Sequence, residues 1–225
     1  MSTDRRTFLE QLGASATLFG SVPLLVNNGG LLNEEINDAQ QPNWDLTWTN
    51  RVNTKHKAAF DVPEIESGYG VWRASIWMNQ YREVLGAAER DLRAVLILRH
   101  NGIALAMQQA FWDEYQVGKA KNVTHPTTGQ PTEKNPALLR ETDGVGEPFT
   151  TFALDRFIAR GGIALACNLA FEDCVGLVKA KHGLSDEAAR ARARSALVPG
   201  VIMQPSGVFA AVRAQEVGAV YVRAS

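Results

Sequence analysis

The feature that most constrains this chain is the segment at 93–98, Arg93-Ala-Val-Leu-Ile-Leu98, which after its arginine carries no polar side chain. A strand with one wet face alternates apolar and polar residues, so an unbroken apolar run implies burial on both faces. That requires packed layers on either side of a sheet, and the run is too short to stand as a helix of its own. It stops at Arg99-His100-Asn101-Gly102, where polar residues and a glycine announce a turn.

Similar short runs recur along the chain. Residues 57–62, 162–166, 201–203 and 219–223 read as four further strands. Longer stretches with helical periodicity separate them: residues 72–85 place Ala74, Trp77, Met78, Tyr81, Val84 and Leu85 on one side, and 168–181 ends at His182-Gly183. A helix from about Asn101 to Gly118 would carry Ile103, Ala106, Met107, Ala110 and Phe111 on one face. Residues 154–159 read as a short helix, Ser185 caps one running to Leu197, and Ser206 opens one that Gly218 stops. Strands alternating with helices predict an α/β fold: three layers, α/β/α, around a mainly parallel five-stranded sheet.

Residues 42–225 form the expected single domain. Within it, 118–150 is polar and contains Pro126, Pro131, Pro136 and Pro148, too long for an ordinary connection. It is either a functional flap or oligomer contact, or else a solvated insertion. The 23 basic residues nearly balance the 24 acidic ones, so no net field favours nucleic acid or an anionic membrane. The five tryptophans suit packing in the core or an interface better than a ligand cleft.

At the amino end, Asp4-Arg5-Arg6-Thr7-Phe8-Leu9 precedes a mildly apolar stretch to Val26, an arrangement that resembles a twin-arginine export signal, although Glu10 stands where a lysine is often found. Residues 1–26 are therefore expected to direct the chain to the periplasm, with 27–41 as a polar linker. No clean small-x-small cleavage site follows Val26, so an uncleaved segment would be the one expected membrane contact.

In an open parallel sheet ligands bind beyond the carboxyl ends of the strands. The residues there are His100 and Asn101 after the second strand, Cys167 and Asn168 after the third, and Gln204, Pro205, Ser206 and Gly207 after the fourth. Cys167 sits where a strand hands over to a helix, a place that activates a thiol; by residue type alone it would be a small buried hydrophobe. His100 either exchanges a proton beside that thiol or caps the following helix. Ser206 either caps its helix or leaves free N–H groups facing an anion. Cys174 shares the buried stripe of its helix and lies about 10 Å along the axis from Cys167, too far for a disulfide. No His or Cys pair has zinc spacing, so no metal is expected. Neither a Gly-rich phosphate loop nor a G-x-S-x-G elbow is present, and no cofactor is expected.

The segments Gly162-Ile-Ala-Leu-Ala-Cys167-Asn168 and Leu197-Val-Pro-Gly-Val-Ile-Met-Gln204-Pro-Ser-Gly207 resemble the DsrE/YchN-like family of small sulfur-handling α/β proteins, and the last helix and strand, through Gln215, Gly218 and Tyr221, are similar too. The resemblance covers roughly 57–225 as an order of elements. It implies a homo-oligomer, and a cysteine at the position of Cys167 that carries persulfide sulfur from a small sulfur species. Two departures stand against it: an export signal, where the relay proteins are cytoplasmic, and the long 118–150 insertion.

Overall fold

The computed structural model describes residues 43–225. The expected export segment and linker lie outside the described residues. Five strands form one all-parallel sheet: β1 (His56–Val62), β2 (Leu92–Leu98), β3 (Ile163–Cys167), β4 (Ile202–Gln204) and β5 (Val220–Arg223), in the order β4-β3-β2-β1-β5. The helices are α1 (Tyr69–Leu85), α2 (Gln109–Tyr115), a single turn α3 (Val117–Ala120), α4 (Leu154–Ala159), α5 (Asn168–His182), α6 (Asp186–Ser195) and α7 (Gly207–Glu216). Helices cover both faces, giving the three-layer α/β/α arrangement expected from the alternation of runs.

The apolar run is the central strand. Ala94, Leu96 and Leu98 of β2 pack into a large core with α1, α2, α5 and α6, while Val95 and Ile97 face a smaller core built on α7 and the 3-10 turn Thr47–Val52. Burial of each such leucine or isoleucine contributes roughly 1.5–3 kcal/mol. Strand parity carries the second face outward to the sheet's carboxyl end, where Asp61 of β1, Arg99 beyond β2 and Cys167 of β3 all continue the α7-facing rows.

Helix ends obey local chemistry. Gly86 and Gly183 take left-handed backbone after α1 and α5, and their N–H groups close on the carbonyls of Arg82 and Lys179. Ser185 and Ser206 accept the N–H of Ala188 and Phe209.

Between Asn101 and Gly118 the expected single helix is broken. His100–Ala106 is 3-10, Met107 and Gln108 are extended, and only then does α2 begin. Tertiary pairing overrides the periodicity. Met107 bridges Leu197, the Gln108 N–H donates to the Ala196 carbonyl, and the Ala106 carbonyl accepts from Val198. Gly102 is drawn so close to the Val62 carbonyl that a Cβ would lie 2.1 Å from its oxygen.

The 118–150 insertion packs against the body. Asn135 is fully buried and donates to the Leu105 and Met107 carbonyls while accepting the Ala137 N–H. His125 bridges the Asp143 carbonyl and the N–H groups of Thr127 and Thr128. Val123, Ala137, Leu139 and Val145 are buried, and Phe149 stacks on Trp72 of α1 with ring centroids 4.4 Å apart. Residues 135–150 thus cover part of α1 and of the 3-10 stretch His100–Ala106.

Candidate functional site

A cleft of about 330 Å³ opens at the carboxyl end of the sheet, where β2, β3 and the start of α7 meet. Cys167 lines it, 6% exposed, at the N-cap of α5. Its Sγ accepts the Ala170 N–H at 3.4 Å. The first turns of α5 and α7 both border this space through Leu169, Ala170, Ser206, Gly207 and Val208, so the positive ends of two helix dipoles converge there. Arg99 and His100 complete the wall from β2, and Asp173 adds one carboxylate from α5.

Arg99 is held in place by neighbours that the strand-end pattern does not reveal. Its Nε and Nη2 each donate to the Asp61 carboxylate at 2.7 Å, and the Tyr221 hydroxyl of β5 donates to the same carboxylate at 2.6 Å. Asp61 is buried at the end of β1. Its hydrogen bond raises the Arg99 guanidinium above the ordinary arginine range and likewise raises the Tyr221 phenol. Gly207 fits against the Arg99 side chain, where a Cβ would lie 2.5 Å from Cδ. A signal for this network was present: Asp61 interrupts the apolar end of β1, between Ala58-Ala-Phe60 and Val62, and a buried carboxylate demands a cation or donors.

His100 takes left-handed backbone, φ 50°, and its Nδ1 lies 3.3 Å from Oε1 of Glu64. A non-glycine residue held there carries local strain of the kind that collects at functional turns. Asn101 turns away from the cleft: it donates to Glu64 at 2.9 Å, accepts from Lys121 at 2.8 Å, and borders a separate cavity of about 40 Å³ beside Cys174.

The structure thus gathers Cys167, His100, Ser206 and Gly207 on one surface. Asn168 begins α5 half-buried and does not line the cleft. Gln204 is a structural clamp: fully buried, it accepts the Trp48 indole N–H at 3.1 Å and donates to the carbonyls of Asp45 and Met203. Its row faces Trp48 in the smaller core. Cys174 is core, packed among Phe171, Val175 and Val178, and burial pushes its thiol up to about 12. Both thiols are unbridged.

Chemically, the cleft offers a sulfur atom with a backbone N–H donor, a fixed guanidinium and an imidazole, among walls that are largely hydrocarbon. Among the described residues no cluster of three potential ligands could hold a metal ion, and no helix is long and apolar enough to cross a membrane. Comparison with protein-family models, with curated proteins and with solved structures finds no significant match to this chain.

Proposed function

We propose that the chain is an exported, DsrE-like protein in which Cys167 accepts sulfane sulfur and carries it as a persulfide. The observation that carries this reading is the seat of the thiol, at the end of β3 and the start of α5, on the wall of a cleft shared with Arg99, His100 and Ser206. A sulfur anion there keeps the Ala170 N–H as a partner and faces two helix starts.

In the proposed step His100 accepts the thiol proton and the Cys167 thiolate attacks the outer sulfur of thiosulfate. A new S–S bond forms, the bond to the sulfonate sulfur breaks, and sulfite leaves with that electron pair. No separate oxidant is required.

The test is intact mass of the purified full-length protein after incubation with thiosulfate or polysulfide, without reductant. One added sulfur is expected on wild type, none on Cys167→Ser, and loss of the gain after dithiothreitol. No added sulfur on wild type would end the proposal.

Export to the periplasm rests on Arg5-Arg6 and the apolar stretch behind them. Cell fractionation with amino-terminal sequencing tests it; an intact Met1 in the soluble cytoplasm would overturn it. A homo-oligomer is supported by the exposed Leu169 and Val208 at the cleft and the exposed Val212 one turn further along α7, and sedimentation as a monomer would count against it.

A second reading, a ligand-holding module without cysteine chemistry, draws support from the low exposure of Cys167 and from the hydrocarbon of Leu169, Ala170 and Val208. Retention of the biological role in Cys167→Ala would favour it.

A further inference from the structure

At the opposite pole of the sheet, where the strands begin, lies a second cleft of about 340 Å³. Its floor follows from the register: Ala58 of β1 pairs with Val220 of β5, and Phe60 with Val222. β5 is an edge strand and α1 stands over β1 and β2, so on the α1 side β5 carries no helix of its own and Val220 stays 67% exposed. The wall is aromatic. Tyr81 of α1 meets His56 edge-on with centroids 5.1 Å apart and lies 4.8 Å from Trp77.

The rim is cationic. Lys55 and Lys57 both border the cleft, no carboxylate does, and neither lysine has an ion-pair partner among the described residues. Gly218, at φ 87°, lets the Lys57 chain lie across it: a Cβ there would sit 3.2 Å from Cε and 3.4 Å from Nζ.

We propose that this cleft binds a small aromatic anion. A flat ring has Val220 and Ala58 beneath it and Tyr81 and Trp77 beside it, where offset or edge contacts between rings are favourable. Its acidic group then reaches the Lys55 and Lys57 ammonium groups, which supply charge-assisted hydrogen bonds. The volume is at the small end of ligand sites, roughly 300–1,000 Å³, and suits a ligand of one or two rings rather than a dinucleotide. The site is independent of any chemistry at Cys167.

The probe is naphthalene-2-sulfonate, titrated calorimetrically into the full-length protein and compared with neutral 2-naphthol and with inorganic sulfate. One equivalent of the sulfonate should bind, more weakly as salt rises, with the other two compounds at least about tenfold weaker. Lys57→Gln and Tyr81→Leu should each lower its affinity about tenfold. Val220→Glu puts a carboxylate on the exposed floor and should abolish binding, which covers the case in which Tyr81→Leu fails to fold. Absence of binding, equal binding of 2-naphthol, or sulfonate binding that survives Lys57→Gln and Val220→Glu unchanged would overturn the proposal.

Discussion

The Asp61 carboxylate receives two parallel hydrogen bonds from Arg99, each 2.7 Å long, so the ends of β1 and β2 are fastened by one planar pair. Arg99 keeps a third of its side chain exposed while Asp61 is almost wholly enclosed, which makes the two partners unequal. Arg99→Gln strands a buried charge and should cost about 3 kcal/mol, near the lower end for a broken buried pair. Asp61→Asn leaves a guanidinium that can still reach water and should cost less, about 1–2 kcal/mol. Urea unfolding of the two variants checks the order; equal losses would contradict the asymmetry.

Tyr221 gives an alkaline signature. Its phenol is raised above the ordinary value, first because its O–H is donated to Asp61. A raised folded-state value means that this contribution is complete below the unfolded-state value, about 10, and is lost as pH climbs through the folded one. Thermal stability should therefore fall above about pH 10, with tyrosinate absorbance showing one late-titrating phenol. Tyr221→Phe should flatten that part of the stability profile and remove the late step.

The two thiols should separate by reactivity. Cys174 is enclosed by Phe171, Val175 and Val178 and its thiol is pushed up to about 12 by burial, so a thiol reagent at neutral pH should leave it untouched in the native state. Cys167 borders the cleft and should be modified slowly and alone. Peptide mapping before and after denaturation checks this; native labelling of Cys174 at the rate of Cys167 would refute it.

Gly207→Ala should disturb the site from beneath. The new methyl would lie 2.5 and 2.6 Å from Cδ and Cβ of Arg99, too near for the pair with Asp61 to keep its geometry. Overpacking of this kind costs about 1–3 kcal/mol. The loss should shrink when Arg99 is also replaced by alanine, a coupling that a double-mutant cycle measures.

The strands were readable to within a residue or two because burial on both faces leaves a direct mark: the runs at 57–62, 93–98 and 162–166 coincide closely with β1, β2 and β3. The caps at Ser185 and Ser206 were equally local. What escaped was set by partners distant in sequence. Met107 looked helical, yet pairs with Leu197; Gln204 looked like a pocket residue at a strand end, yet answers the indole N–H of Trp48, 156 positions away. Cys167, His100, Ser206 and Gly207 were legible because their place depends on strand ends alone. Arg99 escaped because its role depends on Asp61 and Tyr221, from two other strands.

The edge position of β5 also sets an order of assembly. β1 to β4 add neighbour to neighbour along the chain, whereas β5 must return across the sheet to β1, and its Tyr221 reaches Asp61 over a separation of 160 residues. Closure over such a span adds only logarithmically to the entropic cost, but a contact this non-local forms slowly. Asp61 can engage Arg99 while the sheet still lacks its fifth strand. Hydrogen exchange should accordingly find Val220–Arg223 opening well before Leu92–Leu98. Each such opening would dissolve the floor of the basic aromatic cleft while leaving the thiol cleft standing, so the two ends of one sheet would keep different time.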